Sequence, residues 1–176
     1  SARNRRVDTV PSWYFGDNGF SSFEGMRAAH DHVSRAAVTV LDGRSSSVLD
    51  LGCGNGALLK SLMTLSPCIT PFGVDIDRTK IRHARKLFPT FSSNFETRDL
   101  TQPSGFLEDN GPYTLGLLMP GRLLEIDAEA VGRLRTLVAS KVRYLLAYAY
   151  ADTLADYDDF SGLLKAAGLR LLREMP

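Results

Sequence analysis

VLDLGCGNG, residues 48–56, joins an apolar strand to a turn that has a glycine at every second position. Gly52 and Gly54 lack a Cβ, so the chain can turn sharply there and a ligand can lie against the backbone. Gly56 would allow the following helix to approach closely. Three glycines between an apolar strand and a helix are typical of loops that bind nucleotides. The stretch therefore predicts a nucleotide-binding loop at the edge of an α/β sheet.

Strand and helix patterns alternate along the rest of the chain. A first helix is predicted near residues 22–41, starting at a capping box in residues 21–24. Strands are predicted at 48–51, 72–76, 95–98, 113–119, 143–150 and 169–172, with helices between them. Strands separated by helical crossovers form a parallel sheet covered on both faces. We therefore predict an irregular aromatic segment over residues 1–21 and a single domain over 22–176, built on a doubly wound, mostly parallel α/β sheet of six or seven strands.

Composition and charge limit the classes of function. The chain has 176 residues, 44% of them hydrophobic and 23% charged, as in an ordinary globular domain. Its net charge of +1 gives nucleic acid or an anionic membrane no broad basic surface. The sequence shows no apolar run of the roughly 20 residues that span a bilayer. Two cysteines, Cys53 and Cys68, lack zinc-ligand spacing and favour a reduced, cytoplasmic protein without a metal.

Three acidic residues lie at the ends of successive predicted strands. Asp50 precedes the glycine turn, and Asp75 and Asp99 each follow about one strand-plus-helix unit later. Parallel strands end at one rim of the sheet, so the three carboxylates are expected along that rim. Asp75 could accept hydrogen bonds from ribose hydroxyls, and Asp99 could accept one from an adenine amine. A carboxylate at Asp50 would repel a pyrophosphate and attract a cationic amine or sulfonium.

The glycines alone leave a second cofactor open. Gly52, Gly54 and Ala57 satisfy the relaxed dinucleotide fingerprint GxGxxA, and Asp75 stands where a ribose-binding acid belongs. This pattern would suit a nicotinamide cofactor. Asp50, inside the strand, is the residue that argues against it.

VLDLGCGNG, then GVDID at 73–77 and RDL at 98–100, resemble the motifs of the class I S-adenosylmethionine-dependent methyltransferases over residues 45–126, and in outline over 127–172. The resemblance implies a Rossmann-like fold and O- or N-methylation of a small-molecule acceptor, with S-adenosylhomocysteine as product. Residues 119–122, MPGR, lack the Asn-Pro-Pro-Tyr of many nucleobase and glutamine methylases. The cofactor-binding residues that it implies are Asp50, Gly52, Cys53, Gly54, Asp75, Ile76, Asp99, Leu100 and Met119. A non-catalytic cofactor-binding or partner subunit and an NAD(P)-dependent oxidoreductase are the alternatives.

Three residues are candidates for catalysis at the acceptor, and His30 is a candidate general base. His30 lies on the inward face of the first long helix. Arg122 and Glu125 follow the fourth strand three residues apart, so they share one face if that stretch is helical. Arg122 could anchor an acidic acceptor, and Glu125 could orient it or take a proton.

Aromatic residues near the amino end suggest a cover for the site. Trp13 and Tyr14 lie in the segment before the first long helix and could form a lid over the cofactor. His83, in the helix after the second strand, is expected to be a surface group.

Overall fold

A computed structural model describes residues 10–102, 110–119, 121, 127–150, 162, 165–166, 168–173 and 175. Arg122 and Glu125 lie outside the described residues. So do most of residues 151–167, which hold the helix predicted between the strands at 143–150 and 169–172. No helix within the described ranges is long and apolar enough to cross a membrane.

Helices and strands alternate as the sequence predicts. A short helix precedes the first long one, so the segment predicted to be irregular is partly helical. The elements in chain order are α1 (Ser12–Gly16), α2 (Phe23–Leu41), β1 (Ser46–Leu51), α3 (Ala57–Leu65), β2 (Ile69–Asp75), α4 (Arg78–Leu87), a 3₁₀ helix (Pro89–Asn94), β3 (Phe95–Thr97), β4 (Tyr113–Leu118), α5 (Ala128–Lys141) and β5 (Val142–Ala147).

Polar side chains cap the longer helices. Ser22 caps α2 by accepting a hydrogen bond from the Gly25 amide at 3.1 Å. The cap therefore lies within the box predicted at residues 21–24, but it is a single serine because the third residue after it is a glycine. Asp77 caps α4 and Asp127 caps α5, each by accepting from backbone amides of the first turn.

The strands form one parallel sheet in the order β3-β2-β1-β4-β5. Strand order reverses between β1 and β4, which is where ligands of such sheets bind. The sheet formed by the described residues has five strands, so the predicted count of six or seven is not reached. The sixth strand predicted at 169–172 is wrong, because these residues form no ladder. Leu171 and Leu172 stay 42% and 68% exposed, so that apolar run does not pack into a sheet.

The apolar core lies on both faces of the sheet. On one face, α2, α3 and α4 pack over the sheet through Val33, Ala37, Leu41, Leu58, Leu59, Leu62, Ile81 and Ala84, which meet Val48, Leu115 and Leu117. On the other face, α5 packs through Leu134 and Val138 against Leu49 and Leu51. Side chains alternate along a strand, so Asp50 shares the α2 and α3 face with Val48.

Candidate functional site

A cleft of about 290 Å³ opens at the carboxyl ends of β1 and β4. Its lining includes six of the residues expected to bind the cofactor, namely Asp50, Gly52, Cys53, Gly54, Asp75 and Met119, and also His30. Residues 16–20, which connect α1 to α2, lie along its other side. The cleft thus coincides with the switch point of the sheet, where β1 and β4 diverge.

Asp50 is the least usual group in the cleft. Its side chain is only 2% exposed, and its Oδ1 is buried with no hydrogen-bond partner among the described residues. Burial, and then the nearby charge of Asp75, raises the pKa of the Asp50 carboxyl to about 7. A buried carboxylate without a partner is costly. The site therefore favours a ligand that brings a positive charge or a hydrogen-bond donor to Asp50.

The amides of the glycine loop are used inside the protein. Those of Gly52 and Cys53 both donate to the Val74 carbonyl at 2.9 Å, and that of Gly54 donates to Asp75 Oδ2 at 2.8 Å. Cys53 also packs against the bare backbone of β2. A pyrophosphate is held by amides that are free to donate hydrogen bonds. These three amides already donate inside the protein, so they are not free to bind one.

Two amides at the start of α3 also donate their hydrogen bonds inside the protein. The Gly56 amide donates to the Cys53 carbonyl at 2.9 Å, and the Ala57 amide donates to Asn55 Oδ1 at 3.1 Å. These two amides therefore donate to Cys53 and Asn55, which directly precede the helix, and are not free to bind a ligand.

Asn55 also fastens the amino-terminal segment to the glycine loop. Its Nδ2 donates to the carbonyls of Trp13 and Tyr14 at 3.0 and 2.9 Å, and its Oδ1 accepts from Asn18 at 2.7 Å. Asn18 lies so close to Gly54 that a Cβ at that position would collide with its side chain. The amino-terminal segment and the loop can therefore pack together only because residue 54 is glycine.

A second set of contacts joins the amino-terminal segment to α4. His83 Nδ1 lies 2.6 Å from a carboxylate oxygen of Asp17, and the Trp13 ring stacks on the His83 ring with centroids 4.2 Å apart. The expectation that His83 is a surface group is wrong, because its side chain is only 18% exposed. Trp13 and Tyr14 do not line the cleft. They anchor the amino-terminal segment, and residues 16–20 of that segment line the cleft.

Four rings line the end of the cleft away from β2, and we call Phe20, His30, Tyr148 and Tyr150 the aromatic end. Phe20 meets both His30 and Tyr150 edge to face, with centroids 5.5 Å apart in each pair. His30 is 2% exposed, and burial lowers its pKa to about 4, so the ring is neutral at neutral pH. Sequence reasoning missed Tyr148 and Tyr150 because it placed both inside the strand predicted at 143–150, whereas β5 ends at Ala147.

The remaining predicted cofactor residues lie elsewhere. Asp99 Oδ1 accepts from the Thr101 amide at 2.8 Å, in an exposed turn, and neither it nor Leu100 lines this cleft. Ile76 is also outside it and is 69% exposed. Lys80 lines the cleft and was not foreseen. The described parts of the chain hold no cluster of three histidine, cysteine or acidic side chains suited to a metal ion.

Solved structures share this architecture. The mitomycin 7-O-methyltransferase MmcR superposes with a TM-score of 0.58 at 18% identity, covering 87% of this chain and 51% of MmcR. The chain has a class I methyltransferase fold. DesVI of Streptomyces venezuelae gives a TM-score of 0.55 at 14% identity over 80% of this chain and 56% of DesVI. WbdD, a bifunctional kinase-methyltransferase, gives 0.52 at 20% identity over 90% of this chain and 40% of WbdD.

The chain spans about half the length of these methyltransferase-fold structures. No known family profile matches it, and no curated protein sequence matches it. At these identities the likeness establishes the fold.

Proposed function

We propose that this chain is an S-adenosylmethionine-dependent methyltransferase domain that methylates an oxygen or nitrogen atom of a small molecule. The observation that carries the proposal is Asp50, a buried carboxylate with an unpartnered oxygen at the switch point of a methyltransferase fold. When bound, S-adenosylmethionine supplies a methyl group on a positively charged sulfur, next to an amino-acid ammonium. A positive ligand is what relieves the electrostatic cost of Asp50.

The other residues at this end of the cleft suit the same ligand. Each Asp75 oxygen accepts one amide hydrogen bond, from Gly54 and from Asp77. A carboxylate oxygen has two lone pairs, so each can accept another bond, such as one from a ribose hydroxyl. Gly52, with φ of 88°, has open space where its Cβ would be, so a ligand can approach the backbone there. We propose that Asp50 and Gly52 face the methionine portion and that Asp75 holds the ribose.

A nicotinamide dinucleotide suits the cleft less well. Its pyrophosphate would lie near the carboxylates of Asp50 and Asp75, at a loop whose amides donate internally. Both the repulsion and the lack of donors oppose its binding. These observations favour the methyl donor over the dinucleotide.

Calorimetric titration of the purified chain with S-adenosylhomocysteine and, separately, with NADH tests the proposal. We expect the first to bind at one site and the second to give no saturable heat. Binding of NADH but not of S-adenosylhomocysteine would overturn it. A second assay follows radiolabelled methyl transfer to a panel of small acceptors. Tight cofactor binding without transfer to any of them would favour a non-catalytic cofactor-binding subunit.

A further inference from the structure

We infer that the aromatic end of the cleft binds the acceptor and that it selects a flat, uncharged aromatic ring. The inference rests on the proposed function, because it names the class of molecule that would receive the methyl group. It rests on four described side chains, Phe20, His30, Tyr148 and Tyr150, which come from three separate parts of the chain.

The four rings form one continuous surface next to Asp50. Phe20 meets Tyr150 edge to face at 5.5 Å and an interplanar angle of 69°, and Tyr148 meets Tyr150 at 5.7 Å and 62°. His30 and Tyr150 are 6.4 Å apart and tilted by 32°. Phe20, Tyr148 and Tyr150 are only partly buried, so part of each residue remains accessible. Aromatic rings prefer offset and edge-to-face neighbours, and a ligand ring entering here would find several.

The position of this surface suits an acceptor. The Tyr148 amide donates to the Leu118 carbonyl at 3.0 Å, which places Tyr148 directly beyond the ends of β4 and β5. The Asp50 carboxylate is close enough to help raise the pKa of the Tyr148 hydroxyl well above its usual range, after burial as the main cause. The ring surface therefore begins where the part of the cleft assigned to the methyl donor ends.

The charge of this surface disfavours anionic acceptors. His30 is neutral because it is buried, and the Tyr148 hydroxyl stays protonated and is hydrogen-bonded to Tyr150. Lys80 is the only cationic side chain among the described residues lining the cleft, and it comes from α4, on the Asp75 side. An anionic acceptor would lie between neutral rings and Asp50, with no cation among these four residues to pair with it.

The test uses the full chain saturated with S-adenosylhomocysteine and two probes with the same carbon skeleton. 2-Naphthol is flat and aromatic, and decahydro-2-naphthol is its saturated counterpart. We expect 2-naphthol to bind at least about tenfold more tightly, measured by calorimetry, because several ring contacts are each worth about 0.5–1.5 kcal/mol. Equal binding of the two probes, or binding of neither, would overturn the inference.

Variants separate the ring surface from the cofactor site. Replacing Tyr150 with leucine (Tyr150→Leu) should weaken 2-naphthol about three- to tenfold, while Tyr150→Phe, which keeps the ring, should change it less. His32→Ala, an exposed change on α2, the helix that carries His30, is the control. S-Adenosylhomocysteine binding measured on every variant shows that the fold is intact. If the wild-type chain fails to bind that cofactor product, the proposed function fails. If it binds and Tyr150→Leu does not weaken 2-naphthol, only the acceptor inference fails.

Discussion

The two ends of the cleft differ in charge and in origin. The glycine-loop end, formed by Asp50, Gly52–Gly54 and Asp75, is acidic and comes from the ends of β1 and β2. The aromatic end is neutral and comes from the amino-terminal segment, α2 and the residues after β5. One end suits a positively charged donor and the other an uncharged ring. On the proposed function, the strand-end residues would select the cofactor, and the segments distant in sequence would select what lies beside it.

Asn55 joins the amino-terminal segment, which carries Phe20, to the glycine loop, so its loss should have the largest effect on stability. Asn55→Ala removes hydrogen bonds to Trp13, Tyr14 and Asn18 and the bond that Asn55 accepts from the Ala57 amide at the start of α3. We expect the free energy of unfolding to fall by about 3 kcal/mol, and the melting temperature by about 6–12 °C. Differential scanning calorimetry measures both.

A matched control for that variant is Asn94→Ala. Asn94 donates one hydrogen bond, to the Pro71 carbonyl at 3.0 Å. Its replacement should cost about 1 kcal/mol. If the two variants melted at the same temperature, Asn55 would not be the joint between the amino-terminal segment and the glycine loop.

The two ends should also respond differently to pH. The pKa of Asp50 is raised to about 7 in the ligand-free protein, so below that pH the carboxyl is protonated and must lose its proton to pair with a cation. Affinity for S-adenosylhomocysteine should therefore rise about tenfold per pH unit up to about pH 7 and then level off. 2-Naphthol affinity should stay flat between about pH 6 and 8, since the pKa of His30 is about 4. If the affinities for the two ligands changed with pH in the same way, the two ends of the cleft would not differ in their response to pH.

The smallest effect is expected at Asp99. Its carboxylate accepts from the Thr101 amide and lies outside the cleft. Asp99→Asn keeps an oxygen that can accept the same bond, so S-adenosylhomocysteine affinity should change less than about threefold. A loss of tenfold or more in a titration would show that the site extends further along the rim, towards the adenine contact that the motif pattern implies.

The sequence predicted the local features well. The strand at 48–51 and the glycine turn after it depend on neighbouring residues, and the structure confirms both. The sixth strand failed because an apolar run does not specify a pairing partner. Phe20, Tyr148 and Tyr150 were missed because their proximity depends on long-range packing. The same holds for Asn55, whose partners lie about forty residues earlier in the chain.

The most direct test of the account is the affinity of Asp50→Asn for S-adenosylhomocysteine at about pH 8. The change keeps the size of the side chain and removes its charge, and Asp42→Asn, in the exposed turn after α2, is the matched control. Losing one partner of a buried charged pair costs about 2–5 kcal/mol, so we predict a loss of at least about 30-fold, with the control unchanged. The ligand-free variant should at the same time melt higher, since a charge that burial disfavours is gone. Affinity within about threefold of the wild type would contradict the claim that Asp50 pairs with the ammonium group of the bound cofactor.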